Sequence, residues 1–208
     1  MVSSTNLNIK GWRELVKRLI MKIFVIFSRL IMPYIYDKNY LKGRWFDDSA
    51  KGWRWCWRAI FMQKIIGYNR KVPYPVSHRN NIGNYKNIIF DSNDLNNFQN
   101  FGCYYQSFEG KIILGKGTYI APNVGLITQN HKIGNLDSHE MAKDIILGEK
   151  CWVGMNAVIL PGIRLGNNTI VGAGAVVTKS YPEGNCIIGG NPARVIRKIE
   201  GTEKLNEH

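Results

Sequence analysis

Between Leu147 and Val177 a branched aliphatic residue returns at every sixth position: Leu147, Val153, Ile159, Leu165, Val171 and Val177. The residue after each is glycine at four of these positions, Gly148, Gly154, Gly166 and Gly172. The fifth hexad position, Cys151, Ala157, Ile163, Thr169, Ala175 and Tyr181, is mostly small. An earlier run, Leu114-Gly115 and then Ile120-Ala121, keeps the same rule, with Phe108 one step before it and Leu126 one step after. A period of six fits neither a 3.6-residue helix nor the two-residue alternation of a half-buried strand. It fits a coil with three short straight sides, one hexad to a side and roughly 18 residues to a turn. The aliphatics then point into a narrow prism and stack into ladders, and the neighbouring glycine is expected to ease the corner. Such a solenoid buries its core only when several coils stack.

The two runs are out of phase, because Leu126 and Leu147 lie 21 residues apart, a little more than one turn. A loop is therefore expected to bulge from the solenoid over roughly Thr128–Asp144. It carries Asn130, His131, Lys132 and His139. Loops held on a rigid scaffold are a frequent seat of chemistry.

Three further runs accompany the hexads and the Asn130-His131 loop: Cys151-Trp152-Val153-Gly154, Gly172-Ala173-Gly174-Ala175-Val176-Val177 and Gly189-Gly190-Asn191-Pro192-Ala193-Arg194. Together they resemble the hexapeptide-repeat acyltransferases, most of all the sugar and polysaccharide O-acetyltransferases, over about Phe101–Ile199. The resemblance implies a mainly β fold, a left-handed parallel β-helix, assembled as a homotrimer with its active site in the cleft between neighbouring prisms. It implies acetyl-CoA as donor and no metal. His131 takes the general base's place, removing the proton of an acceptor hydroxyl as that oxygen attacks the thioester carbonyl in a ternary complex. No nucleophilic cysteine is needed for direct attack.

Further roles follow from the same resemblance. Asn130, His139 and Trp152 become candidates for holding the acceptor, Trp152 as a wall of the cleft. The coenzyme arm would pass Gly172, Ala173 and Gly174, and a backbone N–H near Asn156 or Ala157 would face the oxyanion. Lys179, Arg194 and Arg197 are the candidates for its phosphates. Many relatives carry an acidic residue or a proline after the loop histidine, whereas this chain has Lys132. The group that orients the imidazole is accordingly left open among Asp137, Asp144 and a backbone carbonyl. On the same fold the acceptor could instead be an amino sugar, serine or an antibiotic hydroxyl. A zinc enzyme with three interfacial histidines and a non-catalytic trimeric scaffold are more distant alternatives.

Charge divides the chain. Residues 1–72 hold 15 Lys and Arg against 4 acids, a net +11, while the remainder holds 13 against 11. Five of the six tryptophans also lie in the first part. A boundary is expected near Val72–Pro75, giving a basic, aromatic segment (1–72), the β-helix (73–200) and a short tail (201–208). Trp12–Tyr36 is apolar, but Lys22 and Arg29 interrupt it too closely for a membrane-spanning helix. Its spacing predicts an amphipathic helix ended by Pro33, packed on the protein itself, on a sister subunit or against an anionic membrane surface. No nucleic-acid module accompanies the alternating Trp53–Arg58 segment, so nucleic acid is not expected as a partner. The four cysteines form no CxxC pair. Their scatter argues against a disulfide framework and for a cytoplasmic protein, with contact at the inner membrane face as an option.

Overall fold

The computed structural model describes residues 3–200; the expected tail, 201–208, lies outside them. Past residue 80 the chain winds around three sides. The first side stacks Asn81–Ile82, Tyr104–Gln106, Gly125–Ile127, Val158–Ile159 and Val176–Val177. The second stacks Ile88–Ile89, Ile112–Leu114, Ile145–Leu147 and Arg164–Leu165. On the third lie Tyr119–Ile120, Trp152–Val153, Thr169–Val171 and Cys186–Gly189. Neighbouring coils pair in parallel, and Arg194–Lys198 closes the third side as an antiparallel edge strand.

The hexad aliphatics form the ladders that the period predicts. Leu126 pairs with Tyr105 and Ile159, Leu147 with Leu114 and Leu165, and Val153 with Ile120 and Val171, all of them buried. Leu147 thus follows Leu126 on the next side of the same coil and does not sit one coil below it. The excess chain between them is larger than the phase difference implied, and all of it leaves at the edge between the first and second sides. Phe108 is not a ladder residue: it is exposed at an earlier passage over that edge, and Tyr105 fills the core position instead.

The hexad glycines serve a different purpose from the one the spacing suggested. A Cβ on Gly154 would lie 2.7 Å from Val171 O, and one on Gly166 would meet Pro182 O closer still. At Gly148, Gly154 and Gly166 the next coil's backbone passes where a side chain would be, whereas at Gly172 a Cβ would meet only ordinary contacts, the nearest Ile188 O at 3.4 Å. The left-handed corner positions fall two residues further on, at Lys150, Asn156, Asn168 and Gly174 (φ 54° to 69°). Asparagine and glycine tolerate that region best.

The N-terminal part begins with helix α1 (Ser3–Ile31), which stops before Pro33 as expected, and continues through helix α2 (Lys51–Ile60) into a π-turn, Phe61–Ile66. The compositional break near Val72–Pro75 is not a break in packing. Buried Gln63 donates from Nε2 to the Val72 and Tyr74 carbonyls (3.2 and 2.9 Å) and accepts the Val76 N–H (3.1 Å) on Oε1. The Tyr74 ring packs on Tyr40, Phe90 and Phe98, and Phe98 in turn on Tyr105 of the first side. One continuous core therefore runs from Met32 to Ala193.

Candidate active site

The projecting loop is a hairpin. His131–Lys132 pairs antiparallel with Asn135–His139, and Gly134 (φ 89°) sits in the turn. Its base is clamped to the solenoid. Lys143 N–H donates to Thr128 O (2.8 Å), Thr128 Oγ1 to Gln106 O (2.6 Å), and Gln129 Nε2 to Glu109 Oε2 and Glu140 O (2.9 Å each). Gln106, Gln129 and Glu109 had no signal in the repeat pattern, since each is a polar residue at a position the hexads leave unconstrained.

His131 and His139 face each other across the hairpin with ring centroids 4.4 Å apart, and both are exposed. His131 Nδ1 lies 2.6 Å from Leu136 O. A carbonyl oxygen only accepts, so Nδ1 carries the hydrogen and the lone pair of the neutral ring is on Nε2. The orienting group is thus a backbone carbonyl, which no side-chain pattern could reveal. Asp144 is engaged elsewhere: its carboxylate accepts the Lys111 N–H (2.8 Å). Asn130, beside His131, is exposed, and its carbonyl accepts the Glu140 N–H (2.9 Å).

Other residues singled out from the sequence lie elsewhere on the prism. Trp152 stands half exposed on the third side, in register between Tyr119 and Ile170, opposite the edge from which the hairpin leaves. Asn156, Ala157 and Gly172–Gly174 line the edge between third and first sides. The backbone donors expected there are already used: Asn156 N–H bonds Pro122 O and Ala157 N–H bonds Gly154 O (3.2 Å each). The first bond crosses to the preceding coil and the second closes the corner itself, and the Ala157 side chain is buried. A Cβ on Gly174 would meet nothing within 4 Å, which leaves that corner open to an approaching chain. Lys179 returns to the hairpin's own edge, its ammonium 5.5 Å above the Tyr181 ring. Arg194 and Arg197 lie on the closing strand, and Arg194 Nη1 donates to Ala193 O (2.9 Å).

Thiol chemistry has no support. All four cysteines are buried free thiols; burial pushes Cys56 up to about 12 and raises Cys103, Cys151 and Cys186, which disfavours the nucleophilic thiolate. Among the described residues no group of three His, Cys, Asp or Glu is placed to hold a metal ion.

Residues 144–179 match the family model of the bacterial transferase hexapeptide, six repeats. A galactoside O-acetyltransferase of Escherichia coli is 37% identical over 100 residues, 45% of this chain and 47% of its own. A Staphylococcus aureus protein named as an acetyltransferase is 31% identical over 154 residues, 71% of this chain and 72% of its own. Among solved structures, a maltose O-acetyltransferase from Clostridium difficile superposes with a TM-score of 0.46 at 32% identity, covering 62% of this chain and 63% of its own. The chain spans about half the length of the curated relatives from yeasts and E. coli that it matches. On the extended S. aureus match, the hexapeptide model and the stacked three-sided coils, the chain belongs to the hexapeptide-repeat acetyltransferases, enzymes built on a left-handed parallel β-helix.

Proposed function

We propose that the protein transfers an acetyl group from acetyl-CoA to a sugar hydroxyl, within a surface polysaccharide or its precursor, with His131 as general base. The observation that carries this reading is the 2.6 Å contact between His131 Nδ1 and the Leu136 carbonyl. It fixes the ring orientation and keeps Nε2 as the acceptor of a proton. In the step itself the acceptor O–H proton passes to Nε2 while the oxygen forms a bond to the thioester carbonyl carbon. The tetrahedral intermediate then expels the coenzyme thiolate, which takes up the proton held by His131. The acceptor becomes an acetyl ester and the coenzyme a free thiol.

The site is read as shared between two copies of a homotrimer. Trp152 and the hairpin lie on opposite flanks of one prism, so a second chain supports their joint use far better than one chain does. The open corner at Gly174, with Ala173 and Gly172 beside it, suits the coenzyme arm. Lys179, Arg194 and Arg197 remain the cations for its phosphates, and Asn130 and His139 flank the acceptor hydroxyl.

The test mixes purified protein with acetyl-CoA and candidate glycans and follows thiol release. His131→Ala is expected to lower turnover about 10²- to 10⁴-fold with unchanged folding, as loss of a general base does. Wild-type rates in that variant would remove the proposed base. Mild alkali distinguishes acceptors: an ester is lost, and an amide formed on an amino sugar survives.

A further inference from the structure

Phe24, Val25 and Ile31 of α1 pack against the core, but a larger set of its apolar residues points away from the protein. Successive helix residues turn by about 100°, which gathers Trp12, Leu15, Leu19, Ile23, Ile26 and Leu30 into a single arc. Each is 58–67% exposed. Val16, Ile20 and Phe27 widen the arc and are exposed as well. The opposite face of the helix meets α2, where Trp57 Nε1 donates to Ser28 Oγ (2.9 Å) and Arg54 Nη2 lies 3.9 Å from Met21 Sδ. Docking on α2 therefore uses the narrow, mixed face, with Phe27 stacked on Trp57 at its edge (ring centroids 5.7 Å), and leaves the rest of the broad apolar arc uncovered.

Cations border the arc on both margins, Arg18, Lys22 and Arg29 along one and Arg13 and Lys17 along the other. Glu14, the acid within Gly11–Ile31, already bonds Lys17 (2.9 Å), and Arg29 has Asp47 3.8 Å away. We infer that α1 lies flat in the interface of an anionic bilayer, its apolar arc among the acyl chains and its two cationic margins at the headgroups.

Three observations select this occupant. Among the described residues no helix is long and apolar enough to cross a membrane, which leaves the interface as the depth available. The apolar spacing would also suit a seam between two copies of the helix, but pairing them would set cationic margins side by side with little acid to neutralise them. Anionic lipid supplies the missing charge. Phe61, one turn beyond Trp57 on α2, and Ile65 after it are 58% and 62% exposed and add apolar surface next to the helix pair. This inference does not depend on the acetyl-transfer reading.

Vesicle flotation with the full chain tests it, using phosphatidylcholine vesicles with and without phosphatidylglycerol. Binding is expected only to the anionic vesicles, weakening as salt rises, with a blue shift of tryptophan emission. Leu19→Glu combined with Ile23→Glu should reduce affinity at least about tenfold, since both side chains lie at the centre of the arc. Lys22→Glu should reduce it about fivefold or more. Thiol release with a soluble acceptor should be the same in all of these proteins. The proposal is overturned if anionic vesicles are not bound, or if the double substitution binds them as the wild type does. It is equally overturned if that substitution lowers the sedimentation mass in the absence of lipid, which would assign the face to a second copy of the chain.

Discussion

Two regions of this molecule use the same aliphatic residue types in opposite ways. In the solenoid Ile159 is 0% exposed, stacked between Leu126 and Val177. On α1 Ile23 is 58% exposed with no coil above or below it. Both sit in regular apolar patterns, six-residue in one and helical in the other. A pattern says which residues share a face, and nothing in it says whether that face turns inward. In a closed prism the inside is defined by the coil itself, so the six-residue pattern carries its own answer. A single helix has no inside, and the direction of its apolar face is set by whatever packs against its other flank.

The contrast has measurable consequences for stability in the absence of lipid. Ile159→Ala should cost about 2–5 kcal/mol in denaturant unfolding, because it empties one rung of a ladder that neighbouring coils cannot collapse to fill. Gly154→Ala should cost less, about 1–3 kcal/mol, since the coils must part by only a fraction of an ångström to admit one methyl against Val171 O. Smallest of all, Ile23→Ala should stay within about 0.5 kcal/mol of wild type, as expected of an exposed site. A loss at Ile23 equal to that at Ile159 would break the comparison and mean that α1 is buried in solution. A Gly154→Ala protein as stable as wild type would show that coil spacing is looser than the Gly154–Val171 approach implies.

Much of the fold was legible in the sequence, and the reasons differ by element. The ladders from Leu114 onward, the projecting loop and the end of α1 before Pro33 all follow from local rules repeated many times. Phe108 was misplaced because an enlarged edge precedes Ile112, and one irregular corner shifts the phase of everything before it. The join between the two compositional halves was invisible for a different reason. Gln63 is an ordinary polar residue by type, and its role comes from the backbone carbonyls and the N–H brought to it by the chain around Val72–Val76. At the candidate site the loop and its two histidines were readable, but the partners of the Asn156 and Ala157 N–H groups were not. One bonds Pro122 O on the preceding coil and the other Gly154 O in its own corner.

The amino-acid order alone determined the three-sided coil, because a six-residue period is a local property and each hexad restates it. Tertiary structure alone decided three things: that the Leu136 carbonyl holds His131, that Gly148, Gly154 and Gly166 are kept clear by the next coil's backbone, and that α1 presents its broad apolar arc outward. Each depends on main-chain atoms or surfaces that meet only once the chain has folded, five residues apart in the hairpin and a coil or more apart elsewhere. Such atoms are identical in every residue, so the order of side chains carries no record of where they meet.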